Sequence, residues 1–501
     1  MNMRLCLSRK RLFLILILMS ALIFKSKAQT NMAFYPIENQ FNSSGFNPAF
    51  LTSDAQFTFS IFPLAGTNIG FNNQKEIENL MTKLLSGVNN DDEYIDIVKS
   101  MVGRPTFNQK LESELLTFTY RSRFGFLNFR IMENVAFSAS VKGPVSEFMI
   151  LPETKSVIVD QVQNIPAQIM HYREYSLAYS TPKKNHRLSA GIRANLYFGK
   201  SVFSSEISGA IRNQANTFAL KTWGKGYMSM PEGTTVNSDG TITGVPSISS
   251  IGSYLMNSGN PGIGVDLGIK YKITPKLSAS LSVIDLGKIS WRTNLNSKIF
   301  DGTYSIKDTS ITHRFEKGQE IITKTSDSVS FTNSFSNVFN LTYVKSRFST
   351  PLPVTLYAGL SYQIKPTIVI SLVDRFIRLK DMNHNSFSIF AKFDVSKELT
   401  VNTGYSIIGS AYNNIPLAIQ LNRDFGQIYV GTDNLLAFVV PSISEFSGIT
   451  FGTSFYLFRK RSLYGSPTET FPFYKPKKVK RVPNSGRIMK EYTDFGYPVQ
   501  E

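Results

Sequence analysis

The chain has 501 residues, a formal net charge of +18 and a single cysteine. Charged residues make up 18%, aromatic residues 13%, and the mean hydropathy is −0.09. This hydropathy excludes a bundle of transmembrane helices, whereas few charges and many aromatic residues are typical of an outer-membrane β-barrel. The excess positive charge is concentrated near the two ends, so it does not indicate a nucleic-acid partner.

The first 28 residues have the composition of a secretory signal peptide. Basic residues precede an apolar run at 12–24, and Ser26-Lys27-Ala28 resembles a small-residue cleavage site. We predict cleavage after Ala28. Cys6 lies in this segment, so the mature chain is predicted to form no disulfide.

Residues 29–55 form a distinct N-terminal segment. The run Asn47-Pro48-Ala49 marks a local turn. Its phenylalanines are too apolar for a free segment exposed to solvent, and a barrel of fourteen strands is wide enough to hold an insert. We therefore predict that residues from Glu38 to Phe50 fold back into the periplasmic mouth of a barrel.

From residue 56 onward, apolar and polar residues alternate with a period of two. In the stretch 264–273, for example, Val265, Leu267 and Ile269 alternate with Asp266 and Lys270. Such a pattern predicts strands with one apolar and one polar face. We predict fourteen strands, at 57–61, 115–130, 135–141, 175–179, 188–198, 264–273, 277–283, 354–362, 368–372, 387–393, 399–405, 415–421, 428–430 and 449–457.

The connections between these strands alternate between short and long. Outer-membrane barrels have short periplasmic turns and long external loops. We predict short turns at 132–134, 183–186, 274–276, 365–366, 395–398 and 422–426. The longest external loops are predicted at 72–113, 142–167, 200–261 and 292–351.

This alternation favours a closed antiparallel transmembrane barrel over a soluble sandwich. The barrel is predicted to span residues 56–459 of the outer membrane, with both termini in the periplasm. A basic, Pro-rich periplasmic tail follows at 460–501. A sixteen-stranded barrel is the alternative, if 203–223 also crosses the membrane. In the first long loop, helices are predicted at about 77–85 and 91–102.

Several polar side chains fall on the face opposite to the apolar one. Arg or Lys at the lipid midplane costs about 2–4 kcal/mol, so these side chains are predicted to face the lumen. They either stabilise the barrel through hydrogen bonds or line a path for a solute. The candidates are Arg193, Asn195, Asp266, Lys270, Lys272, Ser280 and Gln420.

The sequence offers little for catalysis. The four histidines share no metal-ligand spacing, and neither H-E-x-x-H nor G-x-S-x-G occurs. We predict that the protein is not an enzyme and uses no cofactor or metal.

Two resemblances follow from these motifs. An Asn47-Pro48-Ala49 element before fourteen strands resembles the FadL-type fatty-acid transporters and the PorV-like and PorP-like barrels of type IX secretion. More narrowly, NPAFLTS (47–53), AGIRANLYFGKSVFSS (190–205) and GVDLGIKYKITPKLSASLSVIDLG (264–287) resemble an uncharacterised outer-membrane family that carries only a domain-of-unknown-function label.

The FadL-type resemblance implies that residues 47–49 belong to a hatch inside the barrel and that a ligand leaves sideways through the wall. The segment before the first strand departs from that pattern, because it is short and not strongly apolar. The expected function is binding or passage of a small hydrophobic solute. The alternative is a structural or accessory component of an envelope or type IX assembly, with partners at the long loops or the basic tail.

Overall fold

A computed structural model describes residues 32–53, 55–72, 106–140, 162–182, 187–214, 217–231, 234, 251–307, 311–316, 319–324, 342–379, 382–409, 411–440, 444 and 446–458. The chain divides into two compact units, Met1–Arg459 and Lys460–Glu501, and all of the described residues belong to the first. Ala28, the helices predicted in the first long loop and the basic tail lie outside the described residues.

Nearly all of the described secondary structure is β-strand. The first ten strands are β1 (Phe57–Ile61), β2 (Thr67–Asn72), β3 (Thr106–Ser122), β4 (Gly125–Ser140), β5 (Val162–Ser180), β6 (Leu188–Gln214), β7 (Thr217–Ser229), β8 (Pro261–Lys272), β9 (Leu277–Trp291) and β10 (Ser297–Lys307). The next twelve are β11 (Ile311–Glu316), β12 (Gln319–Lys324), β13 (Thr342–Val344), β14 (Phe348–Pro351), β15 (Val354–Lys365), β16 (Ile368–Leu379), β17 (Met382–Asp394), β18 (Leu399–Ile408), β19 (Ala411–Asn414), β20 (Leu417–Arg423), β21 (Gly426–Thr432) and β22 (Phe446–Leu457). Two short helices accompany them, α1 (Ile251–Met256) and α2 (Leu436–Val439).

The strands close into an antiparallel barrel with fourteen wall positions, as predicted. β1 and β2 together occupy the first position, because both pair with β3 on one side and with β22 on the other. The remaining positions are β3, β4, β5, β6, β8, β9, β15, β16, β17, β18, β20, β21 and β22. We call one end of this wall the short-turn end and the other the long-loop end.

The sixteen-stranded alternative is wrong. The first half of β6 pairs directly with β8, whereas its second half pairs with β7. β7 then pairs with β10, so these strands continue one side of the wall beyond the closed barrel at its long-loop end. The region predicted as loop at 200–261 therefore contains the end of β6 and all of β7.

The first hairpin is also placed differently from the prediction. β3 and β4 are joined at Arg123-Phe124, and the predicted turn at 132–134 lies inside β4. Glu133 faces the outside of the barrel, where its carboxylate accepts from Arg173 Nε at 2.6 Å and lies 2.7 Å from His171 Nε2. The polar residue that interrupts the apolar pattern therefore belongs to a continuous strand, and it forms an ion pair with the neighbouring strand. The predicted turns at 274–276, 365–366 and 395–398 are confirmed.

The two faces of the wall have opposite character. On β6 the outward Leu196 is 55% exposed, and on β8 the outward Leu267 is 46% exposed, whereas the inward Arg193 is fully buried. Large apolar side chains on the outside of a closed barrel are stable in lipid but not in water. The apolar face of these strands therefore contacts the membrane.

No helix among the described residues is long and apolar enough to cross a membrane.

Candidate functional site

The N-terminal segment occupies the inside of the barrel, and we call its residues 32–53 the plug. Three short 3₁₀ helices shape it, at Met32–Phe34, Phe41–Gly45 and Pro48–Phe50. The third begins because the Asn47 side chain accepts from Ala49 N at 2.9 Å and Pro48 fixes φ at the first helical position. Almost every plug side chain is buried, including Phe41, Phe46 and Phe50.

An aromatic cluster attaches the plug to the wall. Tyr35 stacks on Tyr357 of β15 with a centroid distance of 5.6 Å and meets the edge of Phe50 at 5.3 Å. Phe46 meets the edge of Tyr357 at 5.9 Å. Burying aromatic side chains against the wall stabilises the plug inside the lumen, because each ring removes a large apolar area from water.

The residues 47–49 sit directly against the wall. Asn47 Nδ2 donates to the carbonyl oxygens of Ile269 at 3.1 Å and Leu281 at 3.3 Å. Two wall glycines allow this close approach: a Cβ at Gly268 would clash with the Asn47 side chain, and a Cβ at Gly191 would clash with the backbone of Pro48 and Ala49.

Charged side chains predicted to face the lumen also contact the plug. The guanidinium of Arg193 pairs with Asp266 at 2.9 Å, and its Nη2 donates to the backbone oxygen of Ser44 at 2.7 Å. Asn195 Nδ2 donates to the other Asp266 oxygen at 2.9 Å. Lys270 forms an ion pair with Glu38 of the plug.

The remaining candidates are more dispersed. The Ser280 hydroxyl lies 3.0 Å from the Tyr35 hydroxyl, and burial raises the pKa of that tyrosine well above its ordinary value. Gln420 is fully buried on β20, whereas Lys272 is exposed at the end of β8 and contacts the plug through none of the described interactions.

Three further wall residues hold the plug and escaped the sequence analysis. Asp433 accepts from the backbone N of Met32 and Ala33, at 3.2 and 2.7 Å. Gln427 accepts from Phe41 N at 2.9 Å, and Asn402 donates to Ala33 O at 2.6 Å. Isolated Asp, Gln and Asn residues near strand ends carry no sequence pattern that distinguishes them from turn residues.

A cavity remains on the long-loop side of the plug, and we call it the lumenal cavity. Its empty volume is about 1250 Å³, including the space that opens to solvent. Plug residues Gln40, Asn42 and Phe46 form one boundary. Its lining includes seven charged residues: Lys110, Glu112, Glu114, Arg130, Glu174, Asp285 and Arg375.

Most of these charges are paired within the wall. Lys110 pairs with Glu112 at 2.5 Å, and Arg130 pairs with Glu174 at 2.6 Å. Apolar and aromatic side chains, such as Met170 and Tyr357, lie between them. The cavity therefore has an amphipathic lining. Within the described ranges, no group of three or more His, Cys, Asp or Glu side chains is arranged to hold a metal ion.

A closed antiparallel barrel with an apolar outer surface and a buried N-terminal plug defines an integral barrel of the outer-membrane type. The chain belongs to a family of unknown function, DUF5723, whose model matches residues 48–433. Comparison with curated proteins finds no match.

Several solved barrels resemble this one in fold. The toluene transporter TodX of P. putida is 10% identical, with a TM-score of 0.36 over 86% of this chain and 95% of that chain. The monoaromatic hydrocarbon channel CymD is 11% identical, with a TM-score of 0.33 over 83% of this chain and 91% of that chain. The KdgM porin is 7% identical, with a TM-score of 0.17 over 59% of this chain and 99% of that chain. The likeness at these identities is one of fold alone.

Proposed function

We propose that the protein is a solute channel of the outer membrane that its N-terminal plug closes at the periplasmic end. The observation that carries this proposal is the plug itself, which fills the lumen next to an open cavity. The plug contacts wall residues close to the short turns, such as Lys270 and Gln427. Residues 47–49 act as hatch residues in this proposal.

The solute that we propose is small and has both apolar and polar groups. A hydrophobic solute, as expected from the FadL-type resemblance, finds apolar contacts at Met132, Met170 and Ile377. A pure hydrocarbon, however, would separate the charged lining from water without replacing its hydrogen bonds, which is unfavourable. The lining therefore favours a solute that keeps at least one polar group.

Removing the plug tests the closure of the channel. A variant that lacks residues 30–50 is expected to insert as a folded barrel and to admit small hydrophilic solutes into proteoliposomes. The full-length protein is expected to admit them far more slowly. A folded variant that is as impermeable as the full-length protein would show that the plug does not close the lumen.

A reversible version of this experiment keeps the plug in place. Replacing the paired Glu38 and Lys270 by cysteines allows a bismaleimide to tether the plug to β8. The tether is expected to abolish uptake of a transported solute, and the single variant Lys270→Cys serves as the control for modification. Uptake that continues through the tethered protein would mean that solutes pass without movement of this part of the plug.

A second candidate function is an accessory component of an envelope or type IX assembly. The observation that favours it is the extension of β6, β7 and β10 beyond the closed wall, where their edges and faces are not needed to span the membrane. Mild detergent extraction followed by size analysis tests this alternative. A protein that migrates only as a monomer in several mild detergents would exclude it.

A further inference from the structure

One cation that lines the lumenal cavity has no carboxylate of the described wall within ion-pair distance, although Asp433 and Glu112 attract it from further away. Arg375 of β16 lines the cavity and is 4% exposed. Its Nη2 donates to Ser386 Oγ at 3.1 Å, and its Nε has no hydrogen-bond partner. Among the described residues it forms no ion pair, in contrast to Lys110 and Arg130, whose carboxylate partners lie within 2.6 Å.

Its surroundings place this guanidinium where a ligand can reach it. Tyr357 is its directly opposed neighbour on β15 and faces the same cavity. A buried cation without a direct ion-pair partner is costly, and a fork of N–H donors matches the oxygens of a carboxylate. An anionic group that enters the cavity would therefore gain a charge-assisted hydrogen bond at Arg375.

A carboxylate without an ion-pair partner faces the same space. Asp285 of β9 lines the cavity and accepts a hydrogen bond from the Tyr197 hydroxyl at 3.1 Å. No Lys or Arg side chain of the described residues lies within ion-pair distance of it. Lys110, which pairs with Glu112, attracts Asp285 only from further away, so a cationic group of a ligand would supply a direct ion pair.

The spacing of the two groups limits the ligand. β9 and β16 both pair with β15, so Arg375 and Asp285 are two interstrand distances apart, roughly 10 Å across the sheet. Arg375 opposes Tyr357, whereas Asp285 follows Ile284, which opposes Thr355, so the two residues are also offset by about three residues, roughly 10 Å, along the strands. Their side chains both point into the lumen and shorten this gap. The ligand must carry its opposite charges several ångströms apart, joined by a chain that contacts the apolar lining.

We infer that the lumenal cavity binds a small zwitterion with separated charges, its anionic group at Arg375 and its cationic group at Asp285. The inference rests on the proposed channel function and specifies the class of solute. Molecules of this chemistry include ω-amino acids and short peptides.

Four probes that share a six-carbon chain and differ in the charged groups at its ends test the inference. The zwitterion 6-aminohexanoate, the anion hexanoate, the cation hexylamine and the neutral 1-hexanol are titrated into the full-length protein in detergent by calorimetry. We expect 6-aminohexanoate to bind at least about tenfold more tightly than the other three, since each charged contact contributes separately.

Variants then assign each charge to its partner. Arg375→Gln is expected to weaken binding of 6-aminohexanoate and hexanoate about tenfold, and to leave hexylamine unchanged. Asp285→Asn is expected to weaken 6-aminohexanoate and hexylamine. Asparagine tolerates the positive φ of 60° at this position. Arg378→Gln and Asp374→Asn alter outward side chains of β16 and should change none of the four affinities.

Heat-modified migration on gels shows whether each variant is a folded barrel. The variant Arg375→Lys keeps the positive charge and should retain part of the affinity for hexanoate. Equal binding of all four probes, tightest binding of 1-hexanol or hexanoate, no detectable binding, or an unchanged affinity in Arg375→Gln would each overturn the inference. Leakage through the plug-deleted barrel requires neither charged group, so that experiment separates failure of the channel proposal from failure of this inference.

Discussion

Arg193 on β6 and Asp266 on β8 oppose each other directly across two neighbouring wall strands, and their ion pair of 2.9 Å is wholly buried inside the barrel. The same guanidinium donates to both the backbone oxygen and the hydroxyl of Ser44, at 2.7 and 2.9 Å. One side chain thus joins two wall strands to the plug.

Replacing this arginine should loosen the plug. In Arg193→Gln the carboxylate of Asp266 loses its cation and Ser44 loses its donors. Breaking a buried pair typically costs about 3–5 kcal/mol, so we expect a comparable loss in the free energy of unfolding. Limited proteolysis should also cut the plug faster. Arg378→Gln is the matched control, and equal behaviour of the two variants would contradict this role of Arg193.

A single methyl group on the wall should displace the plug. In Gly191→Ala the new Cβ meets the backbone of Pro48 and Ala49, which cannot move aside as a flexible side chain can. We expect a folded barrel that leaks small solutes in a proteoliposome swelling assay. Gly252→Ala is the control, because nothing lies within 4 Å of a Cβ at that position in α1. A Gly191→Ala protein that is as impermeable as the control would show that the plug shifts to accommodate the new methyl group.

A charge on the outer surface should destabilise the barrel in lipid. Leu267 lies midway along β8 and faces outward, so Leu267→Arg is expected to cost about 2–4 kcal/mol of unfolding free energy in bilayers. The same change at Ile273, which directly follows the end of β8, should cost less than about 1 kcal/mol. Chemical denaturation in lipid vesicles measures both, and equal costs would place Leu267 outside the hydrocarbon region.

The proposed orientation is testable in intact cells. Cys6, the only natural cysteine, lies in the predicted signal peptide, so introduced thiols should be labelled selectively once that peptide is removed. Val439→Cys, on exposed α2 at the long-loop end, should react with a membrane-impermeant maleimide. Lys397→Cys, in a short turn, should react only after the outer membrane is permeabilised. The reverse pattern would mean that the barrel has the opposite orientation.

The sequence predicts the barrel well because lipid and lumen impose opposite chemistry on alternate residues. Between Leu188 and Leu196, for example, exposed apolar side chains alternate with the buried Arg193 and Asn195. This local pattern sets both the strand positions and the count. It also explains the inward placement of Asp266, which sits between the outward Val265 and Leu267.

The first hairpin was mispredicted because local signals there are ambiguous. Its turn, Arg123-Phe124, contains none of the usual turn residues, and the signal that mattered is Gly125, whose φ of 141° favours glycine. The apparent turn at Glu133 arises from an outward ion pair with Arg173. A salt bridge between strands more than thirty residues apart leaves no trace in a local pattern.

The site is less predictable than the wall, since its contacts join distant parts of the chain. Aromatic residues identify the plug as a segment that must be buried, yet they do not reveal its partners. Ala33, for instance, is held by Asp433, 400 residues away. Likewise, nothing in the sequence shows that Arg375 lacks a carboxylate partner, because that depends on the arrangement of every neighbouring strand.

The anchoring of the plug also determines when it can become ordered. The backbone N–H of Phe41 donates a hydrogen bond to Gln427, and that of Ala33 donates one to Asp433. These contacts therefore require strands that are synthesised near the end of the chain. Contacts of such large sequence separation form late, because the entropy of closing a long loop must be overcome first. The wall must also pair β1 with β22 around the segment that it encloses. The plug, although it is synthesised before the rest of the described chain, is therefore the last part to become ordered.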